Sequence, residues 1–161
     1  MSRLISLTQG QFARVDDADF GWLSKWKWTA QKADHGFYAM RKDKKRLILM
    51  HRLINDTPHG MVTDHRDSNG LNNQRYNLRN ATPLQNVMNR RGKRGGTSRF
   101  KGVWFDAGVQ NLKKWRAAIR LNGKLKYLGR FAVEEEAGDA YKVAALRHFG
   151  EYACFAQGDS V

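Results

Sequence analysis

Residues 61 to 89 read MVTDHRDSNGLNNQRYNLRNATPLQNVMN, and this stretch decides how the rest of the chain is read. Met61 to Asp64 and Tyr76 to Ala81 read as the strands of a hairpin, with Ser68-Asn69-Gly70 turning the chain between them. Thr82-Pro83-Leu84-Gln85 then opens a helix. Thr82 is the N-cap, Pro83 takes the first helical position, and Gln85 stands three residues after the cap. Asn86 therefore falls in the first turn. A hairpin followed by a helix can gather Asp64, His65 and Asn86 round one point. An Asp-His pair alone is most often part of a solvated turn, and Asn-rich stretches are ordinary turn chemistry. Combined with Asn77-Leu78-Arg79, the capped helix and the spacing, the pair points to a site.

These residues resemble the His-Asn-Asn form of the HNH nuclease motif of phage and intron-encoded homing endonucleases. The resemblance is carried by Asp64-His65, Asn77-Leu78-Arg79 and Asn86. Met50-His51-Arg52-Leu53-Ile54 is similar to the strand or short helix that precedes the motif in that family. The resemblance implies a ββα-metal core over about residues 61–90. It makes His65 the general base that takes a proton from a water attacking a DNA phosphate. It makes Asp64 and Asn86 the ligands of one divalent ion, Mg²⁺ or Mn²⁺, with no zinc expected. Asn77 joins this catalytic set by tying the hairpin loop down through hydrogen bonds rather than by reacting.

The chemistry is coherent without the family. One carboxylate and one amide oxygen are hard ligands of the kind Mg²⁺ takes while keeping several waters. A histidine with a reference pKa of roughly 6.5 suits a base working near neutrality. Adjacent residues of a regular strand point to opposite faces, so the strand must end or twist at Asp64-His65 for both to serve one site. His51 either lines the cleft and meets phosphate or is satisfied beneath the hairpin.

The chain has 161 residues, enough for one ordinary domain or two small ones. Its 29 Lys and Arg outnumber 15 Asp and Glu, for a formal charge of +14. Such an excess predicts a polyanionic partner, double-stranded DNA first. No long apolar run or strongly amphipathic basic helix points to a membrane, and without an apolar signal core the protein is expected in the cytoplasm of a bacterial or phage-infected cell. Cys154 is the single cysteine, which excludes an internal disulfide and a Cys-rich zinc site. The 18 aromatic residues can supply the core.

Ahead of the motif, Leu4 to Leu7 and Phe12 to Val15 predict a hairpin round Gln9-Gly10, and Phe20 to Lys25 a short helix capped within Asp16 to Asp19. Trp26-Lys27-Trp28-Thr29-Ala30 alternates as a strand, with Phe37 to Arg41 as its partner across Asp34-His35-Gly36. Lys42, Lys44, Lys45 and Arg46 occupy the next turn, either a solvated tip or a DNA contact, before an apolar strand Leu47 to Met50. His35 and His59 read as loop residues. The N-terminal domain is assigned to residues 1–90. Residues 91–97 form a basic Gly-rich linker, and Arg90, Arg91, Lys93 and Arg94 make it either a plain tether or a strap along DNA.

Residues 98–156 form a second domain. Phe100 to Phe105, Lys114 to Leu121 and Lys124 to Gly129 predict three antiparallel strands, with Asn122-Gly123 as a two-residue turn. In the middle strand Trp115, Ala117, Ile119 and Leu121 face one way and Arg116, Ala118 and Arg120 the other. A helix follows, opened by Glu134, Glu135 and Glu136 and stopped at Gly150. Its packing stripe is Ala137, Ala140, Tyr141, Ala144 and His148, and Gly138 is expected to weaken it by roughly 1 kcal/mol. This half resembles the AP2 DNA-binding domain through Lys101-Gly102-Val103, Lys114 to Ala117, Ile119-Arg120, Leu128 to Phe131, Glu135 to Ala137, Ala140-Tyr141 and Ala144-Ala145. The resemblance implies a sheet that enters the major groove, with Lys101, Trp104, Ala118, Arg120, Leu125 and Tyr127 facing DNA. The family commonly has Arg at the positions of Lys101, Trp104 and Leu125 and Glu at that of Ala118, so the preferred sequence does not transfer. Arg116, Arg120, Lys124 and Lys126 are the further phosphate or base contacts.

The expected fold class is α+β. The expected function is a site-directed DNA endonuclease, a homing enzyme by family analogy. The alternative is a DNA-binding regulator without catalysis, and RNA binding fits only the charge. One active site per chain implies a nick from a monomer, whereas a homodimer could cut both strands.

Overall fold

The computed structural model describes residues 1–33, 36–91, 96–110 and 112–155. The fold is α+β, built from small antiparallel sheets and short helices. It divides into a unit Met1–Asn86 and a unit Val87–Val161.

In the first unit, β1 (Ser2–Ser6) and β2 (Phe12–Asp16) pair as a hairpin turned at Gln9 and Gly10. Helix α1 covers Asp17–Leu23, with Asp16 as N-cap. It begins earlier than the expected Phe20 because Asp17 and Asp19 fill its first turn, where the helix dipole favours acids. β3 (Thr29–Ala33), β4 (Gly36–Asp43) and β5 (Arg46–Leu49) form a three-stranded sheet. The expected strand at Trp26-Lys27-Trp28 is absent. Trp28 Nε1 donates to Leu23 O at 2.9 Å, and Trp26 packs edge-on against both Trp22 and Trp28. The alternation there reflects ring packing, not strand pleat. Met50 does not end a strand but begins helix α2 (Met50–Ile54). The Asp34-His35 turn lies outside the described residues.

β6 (Val62–His65) and β7 (Leu78–Ala81) make the central hairpin, with Asp64 opposite Arg79 and His65 opposite Leu78. A single 3₁₀ turn, Arg75–Asn77, leads into β7. Helix α3 (Pro83–Met88) begins at Thr82 with a reciprocal cap: Gln85 N donates to Thr82 Oγ1 at 3.2 Å, and Thr82 N donates to Gln85 Oε1 at 2.8 Å. The core of this unit joins Ile5, Ala13, Val15, Leu23, Trp28, Met50, Ile54 and Leu78, so the N-terminal scaffold and the hairpin share one interior.

In the second unit β8 (Val103–Phe105), β9 (Trp115–Leu121) and β10 (Lys124–Phe131) lie in the order β10-β9-β8. Helix α4 (Glu134–Phe149) packs on the sheet. Val103, Ala117, Ile119, Ala137, Tyr141 and Ala145 are the buried core. The helical stripe differs from the expected one: Gly138 and Ala145 are buried and His148 is exposed. A Cβ on Gly138 would stand 2.8 Å from the Phe100 ring. Glycine there permits close packing and is not a weakness in the helix. β8 is shorter than expected because Gly102, at φ 74, turns the chain where a side chain would meet Tyr141 and the Ala118 carbonyl at 2.4 and 2.5 Å.

Candidate functional site

β6 ends at His65, whose imidazole is 5% exposed. Three rings meet there: His65 and His51 have centroids 5.0 Å apart and nearly perpendicular, and Tyr38 lies 5.9 Å from His65 and 5.4 Å from His51. Tyr38 can come so close because Gly70 has no side chain, a Cβ there falling 2.5 Å from its ring. His65 Nε2 is 3.3 Å from Asn73 Oδ1. The Asn73 amide is oriented by its own Nδ2, which donates to Leu71 O at 3.3 Å. In that orientation its oxygen accepts from Nε2–H. Burial lowers the His65 pKa from its usual value, opposed by the Asn73 bond and by the nearby carboxylates of Asp67 and Asp64. His51 is pushed down to about 3, by burial first and then by the charges of His65 and Arg52. Both rings are neutral near pH 7, and His51 Nδ1 is buried without a hydrogen-bond partner.

The loop between the strands is tied by side chains. Asn77 donates to Asp67 Oδ1 at 2.9 Å and to Asn72 O at 2.8 Å, and its Oδ1 accepts from Asp67 N at 3.0 Å. Asn72 Nδ2 donates to Asp67 Oδ2 at 2.7 Å. The scaffold grips the same loop from outside. Arg75 makes a bidentate pair with buried Asp19 at 2.7 and 2.8 Å, Gln74 and Arg75 N bond Asp16, and Asn73 N donates to Arg14 O at 2.7 Å. The acids read as helix caps thus hold the loop that carries Asn73. Asp64 Oδ2 meets Arg79 Nε at 2.7 Å and Nη2 at 2.6 Å, with both side chains nearly fully buried. Asn86 is half-buried in α3, its backbone N donating to Thr82 O at 3.0 Å, and it is hydrogen-bonded to neither Asp64 nor His65. Among the described residues no three His, Cys, Asp or Glu side chains cluster.

The chain is 32% identical over 158 residues to a protein of Acanthamoeba polyphaga mimivirus named as an uncharacterized HNH endonuclease, spanning 93% of this chain and 77% of the relative. The chain belongs to the HNH endonuclease family. No family model matches it, and no solved structure does. Within this HNH endonuclease, Tyr38, Asn73, Asp67 and the Arg79 partner of Asp64 are the contacts that sequence reasoning missed. Arg79 stood in the Asn-Leu-Arg triplet and Asn73 in the Asn-rich loop, but nothing local pairs either with its partner.

The second unit of the HNH protein carries the remaining basic and aromatic candidates. Arg90 is exposed, Arg91 is half-buried, and Lys93 and Arg94 lie outside the described residues. Lys101 is engaged by the protein itself: its Nζ donates to Met88 O at 2.8 Å and Arg90 O at 2.5 Å, and burial lowers its pKa. Trp104, Arg116, Arg120 and Tyr127 share the sheet face turned away from α4. Lys124 and Lys126 pair with Leu121 and Ile119, so their register belongs to the other face, although both are exposed. No helix among the described residues is long and apolar enough to cross a membrane.

Proposed function

We propose that this HNH endonuclease is a site-directed DNA endonuclease in which His65 is the general base. The observation that carries the reading is the desolvated His65 whose Nε2 is held by Asn73 Oδ1 at 3.3 Å. The imidazole takes the proton of an attacking water, and Asn73 keeps the ring from turning as charge develops on it. Asn77 acts at one remove by fixing the loop that carries Asn73.

The donor chemistry fits a hard divalent ion. Asp64 and Asn86 offer one carboxylate and one amide oxygen, the kind of set that Mg²⁺ or Mn²⁺ accepts alongside water and phosphate oxygens. Arg79 takes up the buried carboxylate's charge from one side and restricts its rotation. A bound ion would supply charge stabilisation for the phosphate and the leaving 3′ oxygen. The C-terminal unit, with its AP2-like sheet and α4 behind it, is proposed as the element that locates the site on double-stranded DNA, and Arg90, Arg91 and the intervening basic segment as contacts with the backbone. A homing role follows from the family analogy alone.

The test is incubation of the protein with supercoiled DNA carrying a site recovered by binding selection, in Mg²⁺ and in EDTA. Conversion to open-circle or linear DNA in Mg²⁺ alone supports the reading. Binding to that DNA without cleavage in Mg²⁺ or Mn²⁺ would replace it with the regulator.

A further inference from the structure

The face of the β8–β10 sheet turned from α4 carries a built cluster round Arg116. Its guanidinium carbon is 5.2 Å from the centroid of the Trp104 ring and 5.0 Å from that of Tyr127, and those two rings stand 6.4 Å apart. Arg116 Nη1 donates to Asp106 Oδ2 at 3.3 Å, and Arg130 Nη2 donates to the same oxygen at 3.0 Å. The ladder fixes this arrangement. Arg116 lies opposite Trp104 on one side and Arg130 on the other, while Tyr127 lies opposite Ala118, one step along the same face. Asp106 follows the end of β8 and is pinned by its backbone N, which donates to Lys114 O at 2.9 Å.

A surface ion pair of this kind adds little stability, about 0–1 kcal/mol at most, so the cluster contributes geometry more than energy. Two aromatic faces and a carboxylate remove most of the freedom of a long side chain, which lowers the entropy lost when it binds. Arg116 is three-quarters covered but still reaches solvent, with a side chain 27% exposed. Only Nη1 is taken by Asp106, and the guanidinium retains a two-donor edge. That edge matches a pair of acceptors side by side, such as O6 and N7 of guanine in the major groove. A phosphate is the competing ligand. Asp106 offsets one of the two charges of Arg116 and Arg130, and the clamp holds the planar fork of Arg116 in one orientation, which a paired-acceptor base edge requires and a phosphate does not.

We propose that Arg116, held by Asp106 between Trp104 and Tyr127, is a sequence-reading residue that recognises a guanine in duplex DNA, with Asp106 as its positioning residue. This rests on the reading of the C-terminal sheet as the DNA-locating element. Arg120, exposed on the same strand and bonded to Gly123 O at 2.7 Å, lacks such a carboxylate and takes no part in the assignment.

The experiment is selection of bound sites from a random duplex library by the full chain in EDTA, for wild type, Arg116→Ala, Arg116→Lys and Asp106→Asn, with circular dichroism confirming each fold. The wild type is expected to enrich a motif with a guanine at one position. Arg116→Ala and Arg116→Lys should each lose at least about tenfold discrimination at that position alone, since lysine keeps the charge but not the planar fork. Asp106→Asn should relax the same position by a smaller factor. If Arg116→Ala instead weakens every sequence equally and lowers the salt dependence by about one phosphate contact, with the motif intact, Arg116 is a backbone contact and the proposal fails while the targeting reading stands. If the wild type enriches no motif, both fail together.

Discussion

Replacing Arg79 with Met removes the guanidinium from an Asp64 carboxylate that the fold has taken almost entirely out of water. Both contacts, at 2.7 and 2.6 Å, fall on Oδ2, and the two side chains are 6% and 4% exposed. Breaking a buried pair by deleting one member costs about 3–5 kcal/mol, because the remaining charge stays buried. Against a total stability of roughly 5–15 kcal/mol this is a large share. For a unit of this size it corresponds to a fall in Tm of at least about 12 °C. Urea denaturation read by amide hydrogen exchange in β6 and β7 isolates the N-terminal unit from the C-terminal one. The double variant Asp64→Leu with Arg79→Met should recover most of the loss, since no charge is then buried. A cost below about 1 kcal/mol at pH 7.5, or a double variant as unstable as the single one, would refute the pairing as the reason for the buried carboxylate.

Acid should weaken the fold through the buried rings. His51 is neutral in the fold down to about pH 3, whereas its unfolded-state pKa is near 6.5. Its contribution is therefore complete above pH 6.5 and declines as pH falls toward 3. By pH 5 it amounts to a loss of about 2 kcal/mol. The variant His51→Phe should show that much less pH dependence in urea midpoints between pH 7.5 and 5, and an unchanged slope would contradict the burial argument. At Gly138, helix propensity alone expects an alanine to stabilise by about 1 kcal/mol. The 2.8 Å approach to the Phe100 ring instead predicts that Gly138→Ala destabilises by about 1–3 kcal/mol. Thermal unfolding of the C-terminal unit decides the sign.

The elements that could be read from the sequence are those whose signals are local. The reciprocal Thr82–Gln85 cap, the Gln9-Gly10 turn and the alternation along Trp115 to Leu121 each specify their own conformation, and each is present in the fold. Where one pattern serves two physical purposes the reading failed. Trp26-Lys27-Trp28 alternates because its rings pack edge-on, and Gly138 interrupts a helix because a phenylalanine lies against it. At the candidate site, Asp64, His65 and Asn77 stood out in the sequence, but their surroundings did not. Tyr38 reaches His65 from a different sheet, Asn73 folds back through a loop, and Asp16 and Asp19 hold that loop through Gln74 and Arg75, across most of the unit's sequence. Such contacts are set by tertiary packing, and no short window of residues contains them. His51 shows the same limit: its edge-on contact with His65 joins positions far apart in the chain.

The most direct test of the account is the single-turnover cleavage rate of a selected duplex in Mg²⁺, compared between wild type and His65→Ala at equal DNA occupancy. Loss of a general base is expected to slow cleavage by about 10²–10⁴-fold while binding is unchanged. The wild-type rate should fall on acidification only below the ordinary histidine range, because burial depresses the His65 pKa. Cleavage by His65→Ala at the wild-type rate would contradict the assignment of His65 as the base.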